Sequence, residues 1–163
     1  MKKMLLSIAA LTIVAISFAQ TKSKAVTNYR IGIATSIPTD VYCNSTRVGI
    51  GSTFLEASCK PHPDKKFTYT LSAGYFRLVN QAGSYTQAPL MIGARYSVNS
   101  TVYFGAATGA AIYTKAGNGN TQLAYSPYIG VQSKHISVDA RYFNFSTKES
   151  TMKTLSLVFS YTL

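Results

Sequence analysis

From residue 28 to the end of the chain, apolar side chains recur at every second position, in eight segments of about 9–13 residues. Tyr29, Ile31 and Ile33 alternate with Arg30, Gly32 and Ala34 in a first segment, about 28–36. A second, about 46–56, sets Val48, Ile50 and Phe54 against Arg47, Gly49, Gly51 and Thr53. The pattern continues near 67–78, 89–98, 101–113, 122–132 and 135–145. It closes near 153–163, where Leu155, Leu157, Phe159, Tyr161 and Leu163 oppose Thr154, Ser156, Ser160 and Thr162. Period two is the signature of a strand whose two faces meet different surroundings. The segment lengths match the roughly 9–11 residues with which a tilted strand crosses a bilayer, and an even number of strands suits a bacterial barrel.

The first twenty residues break the pattern. Lys2 and Lys3 precede an apolar stretch from Met4 to Phe18, and Ser17-Phe18-Ala19 puts small residues at the −3 and −1 positions of a cleavage site. A signal peptide over 1–19 is expected, followed by a short periplasmic segment, 20–27, and a barrel domain, 28–163. No later segment holds 18 continuous apolar residues, so a membrane-embedded form must be a closed barrel, which satisfies every backbone group internally. The formal charge of +11 falls to +9 without Lys2 and Lys3. Its scattered lysines and arginines in an exported chain point to anionic lipid head groups and not to nucleic acid.

The composition of the polar face decides which side points outward. It is built from Gly, Ser, Thr, Ala, Tyr and a few Arg, with lysines (Lys60, Lys65, Lys66, Lys115, Lys134, Lys148, Lys153) between strands or at their ends. Small residues suit the crowded interior of a narrow barrel, whereas a soluble exterior would be rich in Lys and Glu. An all-β fold, an eight-stranded antiparallel up-and-down transmembrane barrel, is therefore expected. The alternative is a soluble, secreted calycin-like barrel binding an apolar ligand. With both termini in the periplasm, Phe54, Phe67, Tyr69, Tyr96, Phe104 and Tyr161 form one candidate aromatic girdle, and Tyr75, Tyr125 and Tyr142 the other. Asn99-Ser100 and Ser133-Lys134 read as tight periplasmic turns, and the connections near 37–45, 79–88, 114–121 and 146–152 as longer outer loops. The stretch from Ala57 to Lys66 is long for a periplasmic turn, Pro127 is expected to mark a bulge, and Glu56 shares the apolar parity at a strand end.

Ala73-Gly-Tyr75, the run Ala88-Pro-Leu-Met-Ile-Gly-Ala-Arg-Tyr96, and Val102 to Ala111 resemble the porin-like outer-membrane β-barrel domains of Gram-negative bacteria. Ala124 to Gly130 and Val138-Asp-Ala-Arg-Tyr142 do so as well. The resemblance spans roughly 28–163 and implies a small barrel in the outer membrane, inserted by the barrel assembly machinery. The family's usual C-terminal aromatic is displaced here, to Tyr161.

No catalytic pattern emerges. His62 and His135 fall in turns, no spacing suits zinc, and only Asp139 among the mature carboxylates has inward parity within a strand. No enzyme activity, cofactor or metal is expected. One cluster stands out: Arg30, Arg47, Arg95 and Arg141 share inward parity with Asp139, with Tyr103 and Tyr128 as further partners. A polar plug closing the lumen is the simpler reading, and an anion-selective path or acidic-ligand site the functional one. Cys43 and Cys59 flank a crossing strand, so no disulfide between them is expected. The expected role is structural or interactional, with outer-membrane lipid and the assembly machinery as partners and the outer loops free to meet an extracellular one. A narrow porin or transporter is the alternative.

Overall fold

The computed structural model describes residues 25–39, 49–80, 83–115, 118–146 and 151–163. They form eight strands: β1 (Val26–Pro38), β2 (Gly49–Lys60), β3 (Phe67–Asn80), β4 (Gly83–Ser97), β5 (Val102–Lys115), β6 (Asn118–Gln132), β7 (Ile136–Ser146) and β8 (Thr151–Thr162). Each pairs antiparallel with its sequence neighbours, and β8 returns to β1, so the sheet closes into a barrel with no free edge. The start of β1 and the end of β8 lie together, marked by the bond from the Leu163 amide to the Tyr29 carbonyl (2.9 Å). This rim is the near end of the barrel, and the opposite rim is the far end.

The faces fall as the alternation predicts. The exterior exposes Ile33, Ile92 and Leu123 at 62–64 %, with Ile31, Leu157, Phe159 and many others beside them. The interior buries Ser, Thr, Gln, Arg, Asp and Glu side chains. A soluble calycin-like barrel needs the reverse, and that alternative is set aside. An apolar exterior wrapped around a polar interior fits lipid outside.

The near-end girdle is built by register. Phe67 pairs with Tyr96 and Tyr96 with Phe104 across β3, β4 and β5, with ring centroids 5.0 and 5.3 Å apart. The Lys66 ammonium stands 5.8 Å from the Tyr96 ring centre. Phe54 is not part of this girdle. It is buried in the lumen at 1 % exposure, while Thr53 and Leu55 face outward. The cause is a bulge: β1 pairs Ala34 with Ser52 and then Thr35 with Ile50, leaving Gly51 without a partner. One extra residue reverses the parity of all that follows it on β2.

Pro127 makes no bulge. On β6–β7 the pairs Tyr125–Asn144 and Tyr128–Arg141 keep one register, and only the two positions between them leave the ladder. Pro89 interrupts β3–β4 in the same way, between Ala73–Leu90 and Phe76–Gln87. Each proline remains paired on its other side, with Ala106 and Ala111 respectively. The missing N–H therefore costs one ladder locally and leaves the register intact.

Connections also differ from expectation. The strands run on at the far end until Asn80 pairs with Gly83 and Lys115 with Asn118, so the expected loops 79–88 and 114–121 are mostly sheet. At the near end β2 continues to Lys60, which shortens the long stretch from Ala57 to a six-residue turn, 61–66. In it the Lys65 amide donates to the His62 carbonyl (3.1 Å). The turn around Asn99 is tight as predicted, with its Oδ1 accepting from the amides of Thr101 (2.8 Å) and Val102 (2.7 Å). The signal peptide, Cys43, Arg47, most of the 37–45 connection and 147–150 lie outside the described residues. Cys59 is a free thiol.

Candidate functional site

The lumen is divided along its length. Toward the far end it is filled by rings: Phe76 lies 4.9 Å from Phe143 and 6.5 Å from Phe145, and Phe143 stacks on Phe145 at 5.7 Å. Gln87 and Gln122 bond each other beside them (3.3 Å). Toward the near end the lumen holds a charge cluster.

Register assembles this cluster. One row of directly paired residues reads Thr68, Arg95, Gly105, Tyr128, Arg141, Ser156 and Ser36 across six strands and on to β1. A neighbouring row runs Ser97, Tyr103, Gly130, Asp139, Val158. Arg30 pairs with Glu56 across β1–β2. Glycine alternates with the large side chains for a steric reason. A Cβ on Gly105 would stand 2.5 Å from Tyr128 Cζ, and one on Gly130 would stand 2.4 Å from Asp139 Oδ1 and 2.7 Å from Tyr103 Cζ. The bare backbone at these two positions makes room for the tyrosine rings.

Two carboxylates anchor the cluster. Arg141 bridges them, with Nη2 at 2.7 Å from Asp139 Oδ2 and 3.0 Å from Glu56 Oε2 and its Nε donating to Asp139 Oδ2 (3.1 Å). The Tyr103 hydroxyl donates to Asp139 Oδ1. Arg30 lies 3.7 Å from Glu56 Oε1 and donates to Gln132 Oε1 (2.8 Å) and to the Tyr103 hydroxyl (3.4 Å). Arg95 stands 3.6 Å from Glu56 Oε1. Rings cover the guanidinium faces: Arg95 lies 4.8 Å from the Tyr103 centre, and Arg141 lies 4.2 Å from Tyr128 and 4.4 Å from Phe54. Such contacts add to the ion pairs where water is excluded.

Of the residues singled out in the sequence, Arg30, Arg95, Asp139 and Arg141 meet in one cluster, with Tyr103 beside them and Tyr128 over Arg141. Glu56 shares the apolar parity and was expected to reach the interface from a strand end, and the structure corrects this. At 3 % exposure it sits inside and faces all three arginines. Phe54 and Gln132 likewise belong to the site. The signal for Glu56 was available: an ionised carboxylate on a lipid face is costly, and two glycines spaced by one residue just before it permit a bulge. Among the described residues no group of three or more His, Cys, Asp or Glu could hold a metal.

No protein-family model matches the sequence, and no curated protein matches it. Solved structures do match in fold. The chain is similar to the outer-membrane protein Ail of Yersinia pestis in phospholipid nanodiscs, with a TM-score of 0.58 and 15 % identity over 84 % of this chain and 98 % of that one. Its similarity to Ail crystallised with the heparin analogue sucrose octasulfate has a TM-score of 0.55 at 16 % identity, over 84 % and 97 % of the two chains. Neisserial surface protein A matches with a TM-score of 0.52 at 14 % identity, over 86 % and 99 %. The fold is that of a small outer-membrane β-barrel. At these identities the likeness carries the architecture and not an activity.

Proposed function

We propose that this chain is an integral outer-membrane protein of a Gram-negative bacterium, exported through a cleaved signal peptide and inserted by the barrel assembly machinery. In this reading it belongs among the porin-like barrels by architecture while conducting little or nothing. Its role is structural and interactional, not catalytic: it anchors in envelope lipid and presents its far-end hairpins outside the cell. The observation that carries this reading is the filled lumen. Arg141, Tyr103, Phe54, Phe76, Phe143 and Phe145 span it from the charge cluster to the far end, each under 2 % or close to it in exposure. An eight-stranded barrel leaves space for little more than such side chains. Ail, the attachment invasion locus protein, crystallised with the heparin analogue sucrose octasulfate, is an example of an interaction protein on a similar fold.

Planar-bilayer recording tests the proposal. The wild-type barrel is expected to give no stable channel steps, and Arg95→Ala to add at most small, brief events. Stable anion-selective conductance in the wild type, abolished or reversed in selectivity by Arg95→Ala, would establish the narrow-porin alternative instead.

A further inference from the structure

Among the described residues the charge cluster is not balanced. Arg30, Arg95 and Arg141 face Glu56 and Asp139, and all five are at most 5 % exposed. Arginine keeps its proton in proteins, so three guanidiniums against two carboxylates leave an excess of positive charge within a wall surrounded by lipid. A buried charge without a partner is expensive, and the arginines cannot escape by neutralising.

Arg30 Nε, Arg141 Nη1 and both Nε and Nη1 of Arg95 are buried without a hydrogen-bond acceptor among the described residues, so Arg95 has the least satisfied guanidinium of the three. Arg141 grips both carboxylates at 2.7 and 3.0 Å, and Arg30 has Gln132 at 2.8 Å. Arg95 has Glu56 Oε1 at 3.6 Å, beyond hydrogen-bond length, and its Nε and Nη1 find no hydrogen-bond acceptor among the described residues. The Tyr103 ring covers its guanidinium face at 4.8 Å, and along its N–H edge the Nη1 contact with Glu56 is a long ion pair while Nε has no acceptor among the described residues. The Tyr103 hydroxyl donates to Asp139 and accepts from Arg30, and makes no hydrogen bond with Arg95. The far-end rings close one approach. The partly exposed Gln132, bonded to Arg30 and to the Ser100 carbonyl (3.4 Å), marks the approach from the near end.

We infer that the cluster is a binding site for one small monovalent inorganic anion of the size of chloride, held on the Nε–Nη1 edge of Arg95. The bound anion completes the lumen's charge balance and stabilises the barrel. It is a static site, and it stands whether or not the barrel conducts.

The test compares thermal unfolding of wild type and Arg95→Met in detergent micelles, in potassium chloride and in potassium gluconate at equal ionic strength. Gluconate, a bulky organic anion, is the comparison. The wild-type midpoint is expected to rise by a few degrees in chloride, saturably with concentration, as linkage to a bound ligand requires. Arg95→Met should lose the difference between the salts. Crystals of the wild type soaked in bromide provide a readout independent of the variant's folding, and an anomalous peak within hydrogen-bonding reach of Arg95 is expected. Equal wild-type midpoints in the two salts would overturn the inference, as would a chloride effect retained in Arg95→Met. Bromide found at exposed lysines alone, an adventitious ion only, with water on the Arg95 edge, would overturn it too.

Discussion

Removing the Glu56 carboxylate would leave Arg30, Arg95 and Arg141 facing one another with Asp139 alone to answer them. Breaking a buried ion pair from one side strands the other charge, at a cost of about 3–5 kcal/mol. Glu56→Ala is therefore expected to lower the unfolding free energy by roughly that amount, read from urea titrations of the barrel refolded into lipid vesicles. Asp64, 88 % exposed beside His62 in the near-end turn, supplies the contrast. Asp64→Ala should stay within about 0.5 kcal/mol of wild type. Equal effects of the two substitutions would mean that Glu56 points to lipid or solvent after all.

Strands were legible in the sequence because their two faces meet different surroundings, and β4 to β8 keep the expected parity from Leu90 to Tyr161. Strict alternation misleads where the backbone gains a residue. Gly51 leaves the ladder, Phe54 and Glu56 turn inward, and within β2 only the paired glycines and the carboxylate of Glu56 mark the change. Pro127 misled in the opposite sense, since a lost donor suspends two pairs without moving the register. The far-end hairpins were hidden because Gly and Asn are turn formers and also tolerated in a strand beyond the lipid belt. The register of β2 can be checked directly. In a background with Cys43 and Cys59 replaced by Ser, Leu55→Cys should react with a lipid-soluble maleimide in vesicles and Phe54→Cys should not. The reverse pattern would restore unbroken alternation and remove Glu56 from the lumen.

At the scale of the whole molecule, closure of β8 onto β1 satisfies the backbone, and inverted polarity then fixes the solvent. Isoleucine, leucine and aromatic rings outside need lipid, while serine, threonine and paired charges inside need shelter from it. The barrel register and lumen contacts link residues far apart in sequence, such as Arg30 with Gln132 and Arg141 with Glu56, so the native state should unfold as one unit. The most direct test of the account is heat-modifiable mobility on a gel, run on outer-membrane fractions of cells producing the full chain. A β-rich protein in the membrane fraction, whose band shifts between unheated and boiled samples, is expected. A protein recovered in the soluble periplasmic fraction, with the same mobility before and after boiling, would contradict it.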